Sequence, residues 1–70
     1  MNKHYHFEFP IPVSGTKCTY GPYATIEECV EACKKACVKW GINYDDREVK
    51  LFMTDRDGVW EVTEEGELAG

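Results

Sequence analysis

Residues 25–40 carry one continuous apolar stripe, and this stripe is the feature that most limits what the chain can fold into. Placed at about 100° per residue, the segment has its apolar side chains on one side of a helix and its charged side chains on the other. The apolar side consists of Ile26, Cys29, Val30, Ala32, Cys33, Ala36, Cys37 and Trp40. Thr25 and Glu28 have the spacing of a capping box, and Gly41 follows as a C-terminal cap. The pattern predicts an amphipathic helix whose apolar face packs on a small sheet.

Residues 3–9, 48–54 and 59–63 alternate apolar with polar side chains, which is typical of half-buried strands. A hairpin loop over residues 55–58 joins the last two, and its glycine allows a positive φ. Residues 16–20 could return beside the first strand as a further strand, which the sequence leaves open. The prediction is an α+β fold of order β(β)αββ, with a single helix on one face of an antiparallel sheet of three to four strands.

The predicted domain covers residues 1–63, and a frayed acidic tail follows over residues 64–70. The chain has a net charge of −5, and no basic residue follows Arg56. A negative field repels phosphate groups, so nucleic acid is not expected as a partner, whereas a basic protein surface would be attracted. The first six residues contain no apolar targeting segment, and no apolar run reaches the length of a membrane span. We expect a cytoplasmic protein that does not bind membranes.

Four cysteines in 70 residues raise the question of a metal site or a disulfide. Cys29, Cys33 and Cys37, the helix cysteines, are one helical turn apart, whereas Cys18 lies upstream. There is no C-x-x-C pair, and the helix cysteines span about 12 Å, too far for three thiolates on one tetrahedral ion. Their core positions beside alanines favour buried thiols. One disulfide from Cys18 to Cys29, Cys33 or Cys37 is an alternative, and a metal site that includes Cys18 is another. No metal or cofactor is assigned.

The chain has more aromatic side chains than one helix face can cover, which favours an exposed aromatic surface. If Val49, Leu51 and Met53 face the helix, alternation puts Phe52 on the opposite sheet face. Trp60 would then join Phe52 across the hairpin. In the reverse register these rings fill the core, and the sequence leaves both arrangements open. With the nearby charges, the candidate interaction surface consists of Phe52, Trp60, Lys50, Asp45, Asp46, Asp55, Asp57, Glu61, Glu64 and Glu65.

The sequence shows no signature of catalysis. It contains no nucleophile placed with a base, no glycine-rich phosphate loop and no metal-ligand spacing, and the chain is short for a substrate pocket. We therefore expect that it is not an enzyme and assign no catalytic residue. The remaining class is a small acidic protein-binding module that acts by occlusion of a partner.

In size and character the chain resembles the inhibitors that phages encode against host defence systems, anti-CRISPR proteins among them, although no motif carries this resemblance. Such inhibitors commonly occupy basic nucleic-acid channels on their targets, which implies a protein partner with a basic surface. One alternative is a disulfide-stapled or metal-holding domain that uses Cys18 and the helix cysteines. Another is a structural or designed domain without a site. The sequence leaves open whether copies of the chain form a homo-oligomer.

Overall fold

The computed structural model describes residues 3–69. Residues 1 and 2 of the predicted domain 1–63 and residue 70 of the predicted tail 64–70 lie outside the described part. Five elements follow in chain order: β1 (His4–Pro10), β2 (Lys17–Tyr23), α1 (Ile26–Trp40), β3 (Lys50–Asp55) and β4 (Gly58–Val62). The strands form one antiparallel sheet in the order β2-β1-β3-β4, and α1 packs on one face of it. The predicted α+β class and element order are confirmed, and the second strand forms.

Helix α1 forms where the apolar stripe predicts it, and both of its ends are capped. Thr25 has extended backbone angles (φ −130°, ψ 157°), and its side chain accepts a hydrogen bond from the Glu28 amide at 3.1 Å. Gly41 ends the helix in the left-handed conformation (φ 69°), and its amide donates to the Val38 carbonyl at 3.2 Å. Local signals therefore account for where α1 begins and ends.

No helix within residues 3–69 is long and apolar enough to cross a membrane.

The core is a layer of aromatic rings beneath a helix face of small side chains. Phe7 and Phe9 of β1 are buried, and Phe7 stacks on Tyr20 of β2 with 4.7 Å between the ring centroids. The helix cysteines belong to the same cluster, and each is at most 2% exposed. Because cysteine is small, the helix backbone can approach the rings closely. Helix α1 packs mainly on β1 and β2, which leaves the helix side of β3 and β4 to other segments.

Strand β2 extends three residues further than the sequence suggests, because it continues through Gly21 and Pro22 instead of ending before them. The pairing register shifts between Tyr5 and Phe7 of β1, so β2 holds one more residue than β1 in this interval, which is a β-bulge. Gly21 has a φ of 132°, and a Cβ there would lie 2.8 Å from both the His6 ring and the Tyr5 carbonyl oxygen. The bulge therefore requires glycine at this position.

Replacing Gly21 with alanine is expected to lower the free energy of unfolding by about 2–4 kcal/mol, because the methyl group meets backbone and the φ is strained for an L-residue. Gly15→Ala is the matched control: its φ is 73°, but nothing lies within 4 Å of a Cβ there. Only the conformational cost of about 1–2 kcal/mol is expected for the control. Urea unfolding followed by tryptophan fluorescence measures both losses. Equal losses would contradict close packing at the bulge.

The loop between β3 and β4 has two residues, and its length decides which side chains share a face. In the resulting register Met53 pairs with Trp60, whereas Phe52 pairs with Glu61. Paired residues of an antiparallel sheet point to the same side, so Trp60 lies on the helix side and Phe52 on the opposite side. The arrangement in which Trp60 joins Phe52, which the sequence leaves open, is therefore not formed, and a register shift of one residue would be needed to bring the two rings together.

Residues 63–69 turn back along β4, which differs from the frayed tail that the sequence predicts. The Thr63 amide donates to the Glu67 carbonyl at 2.7 Å, and the Ala69 amide donates to the Glu61 carbonyl at 3.0 Å. The returning chain also forms a bridge with the last residue of β4. These bonds occupy part of the outer edge of β4 and hold the acidic residues of this segment against the sheet.

Candidate interaction surfaces

Four of the ten candidate residues line one depression, which we call the acidic groove. The groove has a volume of about 380 Å³. It is lined by Tyr44, Asp45, Asp46, Arg47, Val49, Leu51, Glu61 and Glu64. Asp45, Asp46 and Glu64 bring three carboxylates to this depression, beside the single guanidinium group of Arg47, so the groove is negatively charged. Glu61 lines the depression from β4, but it pairs with Phe52, so its side chain points to the other side of the sheet.

Short-range hydrogen bonds hold the loop that forms one side of the acidic groove. The Asn43 side chain accepts from the Asp45 amide at 3.0 Å, and the Asp46 side chain accepts from the Glu48 amide at 2.9 Å. The Val49 amide donates to the Asp46 carbonyl at 3.0 Å. Because these turns restrict the backbone, the Asp45 and Asp46 carboxylates project from a defined framework.

Tyr44 connects this loop with the returning tail. Its hydroxyl donates a hydrogen bond to Glu64 Oε1 at 3.3 Å, and Lys34 Nζ lies 5.2 Å from the centroid of its ring. Burial, and then the charge of Glu64, raises the pKa of Tyr44 to about 12. The Tyr44 hydroxyl therefore stays protonated at physiological pH and can keep donating to Glu64.

Most carboxylates of the acidic groove lack a counter-ion. Within residues 3–69, the only side-chain ion pair joins Lys50 Nζ to Glu61 Oε1, at 4.0 Å. Asp45, Asp46 and Glu64 therefore have no Lys or Arg nitrogen within ion-pair distance in this part of the chain. Their charges are available to cations on another molecule.

Three further candidates, Asp55, Asp57 and Trp60, line a second depression of about 450 Å³. The Asp55 side chain accepts a hydrogen bond from the Asp57 amide, so this carboxylate serves the hairpin turn. Lys3 lines the same depression and offsets part of its charge. Glu65 lines neither this depression nor the acidic groove. The predicted acidic surface is thus divided, and the acidic groove holds the larger share of its carboxylates.

The sheet face opposite α1, which we call the open sheet face, carries the remaining candidates, Phe52 and Lys50. Phe52 lies in a shallow depression of about 280 Å³. The other residues that line it are His6, Glu8, Thr19, Thr54 and Val59. The ten candidates do not include His6 and Val59, although period-two alternation along β1 and β4 places both on this face once the strand register is known.

All four cysteines are free in the structure, so the alternative of a disulfide from Cys18 to a helix cysteine is not formed. The helix cysteines are buried, as the favoured interpretation predicts. Burial raises the pKa of Cys29 to about 11 and that of Cys33 to about 12. Within residues 3–69, no three His, Cys, Asp or Glu side chains are grouped so that they could hold a metal ion. The helix cysteines therefore serve as apolar core.

The raised thiol pKa values predict that the protein loses stability at alkaline pH. Unfolded thiols ionise near their ordinary pKa of 9.0, whereas Cys33 stays protonated in the fold up to about 12. Its contribution to stability is therefore complete below pH 9.0 and is lost as the pH rises from there towards 12. Urea titrations at pH 8 and at pH 11 measure the free energy of unfolding. Between these two pH values it should fall less in Cys33→Ala than in the unchanged protein. An identical loss would contradict a buried, protonated Cys33.

Comparisons of the chain with known protein families, with curated protein sequences and with solved structures found no match. A function for this chain must therefore be inferred from the acidic groove and the open sheet face themselves.

Proposed function

We propose that this chain is a small acidic protein-binding module, and not an enzyme, and that it acts by covering a basic surface of a partner protein. The observation that carries this proposal is the acidic groove, which Asp45, Asp46 and Glu64 line together with Tyr44, and in which these three carboxylates have no ion-pair partner within residues 3–69. Charges of one sign gathered in a concave surface attract the opposite charge and speed up encounter with it.

The groove is also suited to binding because its framework is ordered in advance. Hydrogen bonds within residues 43–49 fix the loop side, and the bond from Tyr44 to Glu64 ties the loop to the tail. A preorganised surface loses less conformational entropy on association than a mobile one. Tyrosine is enriched at protein interfaces because its ring supplies apolar area and its hydroxyl supplies a polar contact.

The partner is expected to present lysine or arginine side chains to the groove. Negative charge disfavours a nucleic acid as the direct ligand, but many proteins that bind nucleic acids carry basic channels. A module that occupies such a channel would block access to it. We therefore propose the same class of activity as the phage-encoded inhibitors of host defence systems, which the chain resembles in size and character.

The disulfide-stapled or metal-holding alternative is not proposed further. The helix cysteines fill the core beneath the helix and contribute nothing to either surface, and Cys18 is free.

Removal of the groove charges tests the proposal. In Asp45→Asn/Asp46→Asn/Glu64→Gln, each amide keeps an acceptor oxygen but loses its charge, so the bonds to Tyr44 and to the Glu48 amide can persist. Immobilised protein should retain basic proteins from a cell extract at low salt and release them as the salt concentration rises. The groove variant should bind the retained protein about tenfold to hundredfold more weakly, since three charge contacts with the basic partner are lost.

Glu27→Gln/Glu28→Gln/Glu31→Gln is the matched control, because it removes the same number of charges from the exposed face of α1. It should bind nearly as well as the unchanged protein. Equal weakening of both variants would show that binding follows net charge alone. Either that result or the absence of any salt-sensitive protein partner would overturn the proposal.

A further inference from the structure

The open sheet face lacks the cover that the opposite face receives from α1. An antiparallel sheet with one face in water normally presents polar side chains there. Here the face carries two apolar side chains: Phe52 of the inner strand β3 is only partly buried, Val59 of the edge strand β4 is 65% exposed, and both line the depression of about 280 Å³. A surface of this kind gains free energy when another surface removes it from water.

The charges on the open sheet face balance, in contrast to those of the whole chain. Lys50 is the cross-strand neighbour of Glu8, and its Nζ lies 4.0 Å from Glu61 Oε1. Lys17 pairs with Pro10 of β1, which places it on the same face. Two carboxylates and two ammonium groups leave this face without net charge, whereas the chain carries −5.

Two copies of a chain with a net charge of −5 repel each other across most of their surfaces. The open sheet face has no net charge and carries Phe52 and Val59, so it is the surface through which two copies can meet with the least repulsion. We propose that this face binds a second copy of the chain. The result is a twofold dimer in which the two sheets pack face to face, with Phe52 of the inner strand β3 near the axis and Val59 of the edge strand β4 within the buried area.

The size of the face sets the strength expected of this dimer. Four strands about 4.8 Å apart, with about six residues of about 3.4 Å each, give a face of roughly 19 by 20 Å. This is roughly 400 Å² per copy, below the standard interface of about 800 Å² per partner. The dimer is therefore weak, with a dissociation constant on the order of 100 µM.

The other surfaces are less suited to self-association. The outer edge of β4 is partly occupied by the returning residues 63–69. The other edge strand, β2, contains Pro22 next to the bulge, and proline has no amide to donate to an added strand. The acidic groove repels a copy of itself. The open sheet face does not attract a basic partner in particular, because it has no net charge.

Sedimentation equilibrium from about 10 µM to about 1 mM tests the dimer, with Val59→Glu as the first variant. The exchange places a carboxylate of each copy inside the interface, so the association constant should fall about tenfold or more. Val13→Glu is the matched control, because it makes the same exchange at a valine that is 88% exposed and lies in the β1–β2 loop. It should associate as strongly as the unchanged protein.

Phe52→Thr is a second variant, which removes the ring from the face and keeps a residue that favours strands. It should also weaken association, and circular dichroism verifies that each variant is folded. In the unchanged protein, amide signals that shift with concentration in NMR spectra should belong to His6, Phe52, Thr54 and Val59.

The effect of salt concentration on binding distinguishes the dimer from the proposed function. Added sodium chloride should strengthen the dimer, because screening reduces repulsion between two negatively charged chains, whereas it should weaken binding through the acidic groove. The two proposals can therefore fail independently. The dimer is overturned if the unchanged protein sediments as a single chain at about 1 mM. It is also overturned if Val59→Glu associates as strongly as the control, because another surface would then be responsible.

Discussion

The contact between the helix cysteines and the aromatic layer of β1 and β2 is the interaction on which the rest of the structure depends. Phe7, Phe9 and Tyr20 form a layer of large rings, and α1 meets it with small side chains. The helix can therefore lie close to the sheet, but one helix cannot cover four strands. It lies over β1 and β2, and the helix side of β3 and β4 has to be covered by irregular chain.

That requirement explains the acidic groove. The groove lies where the segment after α1 meets the returning residues 63–69, and Leu51 of β3 and Glu61 of β4 also line it. Tyr44 from the first segment bonds Glu64 from the second. The aromatic ring supplies apolar contact where no helix is present, while the carboxylates stay at the surface. The groove is thus a consequence of how a narrow helix leaves part of the sheet uncovered.

The two proposed surfaces rely on different forces. The acidic groove offers unpaired carboxylates, so its attraction is Coulombic, acts over distance and is weakened by salt. The open sheet face offers Phe52 and Val59 between charges that balance, so its attraction is hydrophobic and acts only on contact. A chain of 70 residues can therefore hold two surfaces that do not compete for the same kind of partner.

The sequence by itself determined the helix, its caps, the burial of its cysteines and the α+β class, because these follow from side chains close together in the chain. Tertiary structure decided the rest. Whether Trp60 shares a face with Phe52 depends on the pairing register of the hairpin, because a shift of one residue moves a side chain to the other face. The bulge at Gly21 depends on the pairing of β2 with the neighbouring strand β1. The sequence predicts a frayed acidic tail, yet residues 63–69 fold back once β4 offers an edge. Register and docking depend on contacts between residues distant in sequence, which local patterns do not encode.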